Sequence, residues 1–217
     1  MIQIEKEDIE KHSRAAWTMW RSLWIENCKA NKDLKNRVPI KNYLGAAKDT
    51  ALVVAAFGHS LDKDLSVMLE HRGKFKLLCC DKAYGYLYSN GIIPDYCLVV
   101  DGSVSLDWIG GHKTDKTVLF SNIAANKEFV AAWEGPVAFY TNWDNIGTAK
   151  ILGKVGDCYD LIPAASNVSN GQVMLANQIL GAKTLLLTGF DYSWRDGGNY
   201  YASKDSEKRY YMNHLTT

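Results

Sequence analysis

Two histidines, two small-residue turns and a set of aspartates at the ends of apolar runs carry the chemistry that can be read in this chain of 217 residues. His59 lies inside Gly58-His59-Ser60, and His214 follows an aromatic-rich stretch. These two are the candidates for general-base work near neutral pH. Gly58 permits a sharp turn or close approach to a ligand, and Ser60 reads as the N-cap of a helix holding Leu61, Leu65, Met68 and Leu69. Ser169, Asn170 and Gly171 form a second small polar helix start, where hydroxyl and amide groups join unpaired backbone N–H donors. Each turn alone fits an ordinary capped helix as well as an anion site. Together they could line one cleft. Asp81, Asp95 and Asp101 invite a magnesium reading. However, Val99 and Val100 precede Asp101, so no second carboxylate joins it locally, and Asp95 after Pro94 reads as a structural turn residue.

The elements that must position these residues follow from periodicity. Apolar runs of strand length at Ala51–Phe57, Phe75–Asp81, Asp95–Asp101, Thr117–Asn122, Pro136–Thr141 and Thr184–Gly189 alternate with helical patterns. The helices are expected at Leu61–Arg72, Lys82–Asn90, Lys127–Trp133 and Gly171–Leu180. Such alternation predicts an α/β fold with a Rossmann-like, doubly wound, mostly parallel sheet. Right-handed crossovers then bring all strand carboxyl ends to one rim, together with Gly58, Ser60, Asp81, Asp101, Asn122, Thr141, Gly189 and Asp191. An N-terminal helix is expected from Glu5 to about Asn31, with Ile9, Trp17, Trp20, Leu23 and Trp24 on one face. That face should pack on the protein's own core, and a homo-oligomer or partner interface through Trp17, Trp20 and Trp24 is the alternative. Lys29–Lys41 reads as a solvated linker. The expected division is residues 1–45, N-terminal helix and linker, and 46–217, a nucleotide-binding domain whose irregular segment after Asp191 resembles a lid.

Composition narrows the classes. Positive and negative charges nearly cancel, and no basic run interleaves with aromatics, which argues against nucleic acid as the main partner. The five cysteines show no CxxC pair or zinc-site spacing, and no apolar run approaches the ~18 residues of a membrane span. A reducing, cytoplasmic setting is the expectation. The P-loop, GxGxxG and GxSxG patterns are all missing.

Gly58-His59-Ser60-Leu61 after an apolar strand resembles the GPSL turn of bacterial sialyltransferases and motility-accessory-factor flagellin glycosyltransferases. The stretch from Ser169-Asn170-Gly171 through Leu180-Gly181-Ala182-Lys183 to Gly189-Phe190-Asp191-Tyr192 is similar to their helix start, LGxK turn and GxD-aromatic strand end. Asp81 with Ala83, Asn90-Gly91-Ile92-Ile93-Pro94-Asp95 and Val99-Val100-Asp101 resemble the middle motif of 6-hydroxymethylpterin diphosphokinase-like proteins. The resemblance implies a nucleotide-binding transferase. Its first form is a sialyltransferase-like glycosyltransferase using a CMP-activated sugar and an unidentified acceptor, with no required metal. The nucleotide would be held by Gly58, Ser60, Asp81, Asp101, Ser169, Asn170, Gly171, Asp191 and Tyr192, with His214 or His59 as base. His59 replaces the family's proline, and Val99 stands where the diphosphokinases carry an earlier acid. The alternatives are an ATP-dependent pterin-type diphosphokinase using Mg²⁺ and a non-catalytic nucleotide-binding or interaction module.

Overall fold

The computed structural model describes residues 6–142, 159–162, 167–193 and 201–202. Eight strands pair in parallel throughout: β1 (Arg37–Val38), β2 (Leu52–Ala55), β3 (Lys76–Cys80), β4 (Tyr96–Val99), β5 (Val118–Asn122), β6 (Val137–Asn142), β7 (Tyr159–Ile162) and β8 (Leu185–Thr188). Their order is β1-β6-β5-β4-β3-β2-β8, and β7 joins β6 beyond the short reach of β1. The expected α/β, Rossmann-like sheet is therefore present, and all the described strand-to-strand pairings are parallel.

Residues alternate between two buried faces because successive side chains in a strand point to opposite sides. Val53, Ala55, Leu77, Cys79, Cys97, Val99, Leu119, Val137 and Phe139 share one core with Cys28 of α1 (Lys6–Asn31), α2 (Leu61–Glu70), α3 (Asp81–Ser89) and α4 (Lys127–Ala131). Leu52, Val54, Leu78, Leu98, Phe120, Ala138 and Tyr140 meet α5 (Val168–Gln178) on the other face. Double coverage explains why the central strands β2, β3 and β4 read as largely apolar runs rather than alternating ones. Cys28, Cys79, Cys80 and Cys97 are buried free thiols within these layers.

Several boundaries differ from the sequence reading. Arg37–Val38, inside the stretch read as a solvated linker, is a strand on β6, and Ile40 beside it is buried in a 3-10 turn. A two-residue strand has no period to detect. Helix α5 begins at Val168, so Ser169, Asn170 and Gly171 form its first turn instead of preceding it. Of the tryptophan face, Trp24 packs against the core, whereas Trp20 is 40% exposed; the Trp17 side chain lies outside the described residues. Among the described residues, no helix is long and apolar enough to cross a membrane.

Candidate functional site

Strand β2 leads toward β3 through α2, while β8 lies on the opposite side of β2 after the chain returns through α5. The strand order reverses there, so a crevice opens at the carboxyl edge. The Gly58 and Gly189 turns are built into one another at this point. The Gly58 N–H donates to Gly189 O at 2.9 Å, and the Gly189 N–H donates to Ser60 Oγ at 3.1 Å. A Cβ on Gly58 would stand 2.5 Å from both Asp191 Oδ2 and Gly189 O. Gly189 itself has φ +71, and a Cβ there would meet Ala56 O at 2.3 Å. Gly58 is required by space, and Gly189 by space as well as by its left-handed backbone conformation.

Ser60 does not cap α2 as the sequence suggested. Its hydroxyl is taken by Gly189, its backbone is already helical, and its N–H donates to Asp191 Oδ2 at 2.7 Å. The Asp191 carboxylate thus occupies the anion-favouring start of α2 from within the protein. His59 stands beside it, with Nδ1 3.7 Å from Asp191 Oδ2 and Nε2 3.3 Å from Ser193 Oγ. Further along α2, Asp64 accepts the Thr188 hydroxyl at 2.6 Å, and Asp62 accepts that of Tyr86 at 2.6 Å.

The next residue connects this cluster to the second helix start. Tyr192, at φ +48, directs its hydroxyl toward Asn170 Oδ1 at 3.1 Å and Asn167 Oδ1 at 3.4 Å. Asn167 is the N-cap, and its side chain accepts the Asn170 N–H at 2.9 Å. The first two N–H groups of the helix, on Val168 and Ser169, have no intrahelical acceptor, and no acceptor for them is found among the described residues. Gly171 lets this turn sit against β4, since a Cβ would lie 3.2 Å from Leu98 Cδ2. One turn later, the buried Gln172 donates through Nε2 to Ala55 O at 3.0 Å and Leu78 O at 3.4 Å, fixing α5 across β2 and β3.

Asp81 begins α3 rather than ending β3, and it is buried. Burial, with the like charge of Asp101 adding to it, pushes its carboxyl up to about 6 against the opposing pull of Lys82 and the helix-start N–H groups. Asp101 is exposed two residues past β4; its Oδ1 accepts the Ser103 N–H at 2.8 Å and hydroxyl at 2.9 Å. Asp95 belongs to the opposite, amino edge of the sheet. There Arg72, Lys76 and the Leu77 N–H hold it at 2.6, 2.8 and 2.9 Å, the structural role expected of it.

Sequence reading gave neither Lys82 nor Tyr201 an individual role. Lys82 Nζ donates to Tyr201 OH at 2.9 Å and lies over the Trp108 and Tyr201 rings. Tyr201 bridges Gly58 in antiparallel fashion and stacks on Phe57, with centroids 5.5 Å apart. Lys82, directly after Asp81, carried a detectable signal; Tyr201, in a segment without a period, carried none. His214 lies outside the described residues. Among the described residues, no group of three or more His, Cys, Asp and Glu side chains gathers as a metal-ion set. The structure therefore brings together Gly58, His59, Ser60, Asp191 and Tyr192, joins them to Asn170 on α5, and places Asp81 and Asp101 at adjacent strand ends.

Comparison with known proteins agrees with this architecture. The family model described as 6-hydroxymethylpterin diphosphokinase MptE-like matches residues 23–197. A solved structure, the Maf glycosyltransferase from Magnetospirillum magneticum AMB-1, superposes over 80% of this chain with a TM-score of 0.65 and 20% identity. At that identity the likeness is one of fold, and the chain spans 28% of that protein's length. No curated protein matches.

Proposed function

We propose, from the premise that the chain belongs to the 6-hydroxymethylpterin diphosphokinase MptE-like family, that it is a nucleotide-dependent transferase whose donor binds at the carboxyl edge of β2, β3 and β4. The observation carrying this reading is the junction made by Asp191 and Tyr192. One residue holds the Gly58-Ser60 turn, and the next reaches the start of α5. A donor phosphate fits the Val168 and Ser169 N–H groups and the Ser169 hydroxyl, where the α5 dipole favours negative charge. Gly58 and Ser60 shape the wall rather than offering their N–H groups, which are already engaged. Asp81 and Asp101 suit sugar or ribose hydroxyls, because carboxylates accept what hydroxyls donate.

The specific form we favour is a sialyltransferase-like glycosyltransferase using a CMP-activated sugar, with no metal required for transfer. The acceptor hydroxyl would give its proton to His59 or His214 as its oxygen attacks the anomeric carbon, and CMP would leave against the α5 start with Tyr192 nearby. The Maf glycosyltransferase fold supports this form. The family description supports a second, an ATP-dependent pterin-type diphosphokinase. Asp81 and Asp101, close enough that the Asp101 charge helps to raise the Asp81 carboxyl, are a hard-oxygen pair suited to Mg²⁺. A magnesium ion there would neutralise the donor phosphates.

Thermal-shift titration with CMP, CDP, ATP and GTP, each with and without EDTA and Mg²⁺, separates these readings. Stabilisation by cytidine nucleotides that survives EDTA is the expected result. Stabilisation by ATP only with Mg²⁺, lost in Asp101→Ala, would move the assignment to the diphosphokinase. No shift with any nucleotide would remove the transferase reading.

A further inference from the structure

We propose that His59, Asp191 and Ser193 form a nucleophilic serine centre, with Ser193 able to accept the acyl group of an activated ester. This inference stands apart from the transferase reading and does not depend on it. The three side chains come from the turns after adjacent strands β2 and β8. His59 lies between the other two, with Nδ1 3.7 Å from Asp191 Oδ2 and Nε2 3.3 Å from Ser193 Oγ. That is the order of nucleophile, base and orienting carboxylate, at the looser spacing common before a ligand tightens the contacts. A carboxylate on the Nδ1 side favours the proton there and leaves Nε2 as the acceptor for the Ser193 hydroxyl.

The scaffold fixes the base side of this array and leaves the nucleophile accessible. Asp191 is anchored by the Ser60 N–H at 2.7 Å, and the side chains of His59 and Asp191 are only 19% and 15% exposed. Ser193 is exposed. The left-handed Tyr192, φ +48, one residue after Asp191, turns the chain so that Ser193 Oγ lies 3.3 Å from His59 Nε2. A strained residue beside a reactive group is a recurrent feature of functional turns.

In the proposed step, Ser193 Oγ forms a bond to the ester carbonyl carbon and its proton passes to His59 Nε2. The bond from that carbon to the leaving alkoxide breaks, and the alcohol departs with the proton from Nε2. Water then attacks the acyl-serine by the same route, releasing the carboxylic acid and restoring Ser193. Asp191 holds the imidazole and stabilises its charged form; it exchanges no proton.

The test uses a fluorophosphonate probe, with which Ser193 Oγ forms an O–P bond while P–F breaks and fluoride leaves. The native chain should gain one phosphonyl group, mapped to Ser193 by peptide mass spectrometry. Ser193→Ala should remove the adduct, Ser66→Ala on the exposed face of α2 should keep it, and His59→Gln should slow its formation by about 100-fold or more. Circular dichroism of each variant, matched to the native chain, excludes misfolding as the cause. Asp191→Asn serves as a secondary variant because its carboxylate also supports the Gly58 turn. No adduct on the native chain, an adduct mapped elsewhere, or an unchanged rate in His59→Gln would overturn the proposal.

Discussion

At the scale of single residues, the rim is assembled from groups that satisfy one another before any ligand arrives. The Asp191 carboxylate occupies the helix start at which the sequence suggested an external anion, and this changes the meaning of Gly58-His59-Ser60. The turn is a structural wall carrying a histidine, and the N–H donors without an acceptor among the described residues are on α5. Sequence made each polar turn visible. It could not reveal that Asp191 reaches Ser60 across 131 positions, because the pairing depends on β8 lying beside β2. Asp81 is the residue most exposed to pH. Its folded-state carboxyl, at about 6, lies above the ordinary 3.8, so the folded protein holds that proton more tightly than the unfolded chain. The resulting stabilisation is complete below pH 4 and is lost as pH rises toward and through 6. Asparagine keeps the shape and cannot ionise. Asp81→Asn should therefore be more stable than the native chain at pH 7.5, by at most about 3 kcal/mol, with the difference vanishing near pH 4. Calorimetric unfolding across that range checks it, and a difference independent of pH would contradict the assignment.

At the scale of elements, helix α1 is tied to the loops behind the rim by two asparagines one turn apart. Asn27 Nδ2 donates to Gly102 O and Ala124 O, both at 3.0 Å, and Asn31 Nδ2 donates to Ile123 O and Ala125 O, both at 2.9 Å. Two buried amides thereby satisfy four carbonyls in the turns after β4 and β5, which have no strand partners. The tryptophans drew attention in the sequence, but beside Trp24 the buried contacts of the last helical turns run through Asn27, Cys28 and Asn31. Polar residues on a helix give no periodic signal of such a role. Asn31→Ala should lower the unfolding free energy by about 2 kcal/mol, because it strands two buried acceptors. Asn31→Asp should cost more, since it places a carboxylate against the same carbonyls. Urea titrations of both variants measure this; a loss below about 0.5 kcal/mol in each would show that the carbonyls find other donors.

At the scale of the whole molecule, the alternation of apolar runs and helical patterns was enough to reveal the parallel sheet. Five strands, β2 to β5 and β8, fall inside the runs read from sequence, and β6 matches its run except that it continues one residue further, to Asn142. The two others, β1 and β7, meet the same side of β6; β1 has only two residues, and Asp160 interrupts β7, so neither presents an apolar run. Burial divides the sheet unequally. Leu77, Leu78, Cys97, Leu98, Leu119 and Phe120, on β3, β4 and β5, are completely buried, whereas Leu186 and Leu187 of β8 are each 53% exposed. Since β8 also pairs with β2 alone among the described strands, its opening need not disturb the centre of the sheet. The switch-point crevice is consequently rigid on the β3 and β4 side and compliant on the β8 side, which carries Asp191, Tyr192 and Ser193. Local opening draws on regions with few buried contacts and solvent-facing backbone. Amides of β3, β4 and β5 should exchange with deuterium at the rate set by global unfolding, and those of β8 at least about tenfold faster. A cytidine nucleotide bound against α5 and Tyr192 should slow exchange in β8 while leaving the central strands unchanged. Equal protection of β8 and β4 in the free protein would show that the sheet opens as one unit and that the crevice has no compliant side.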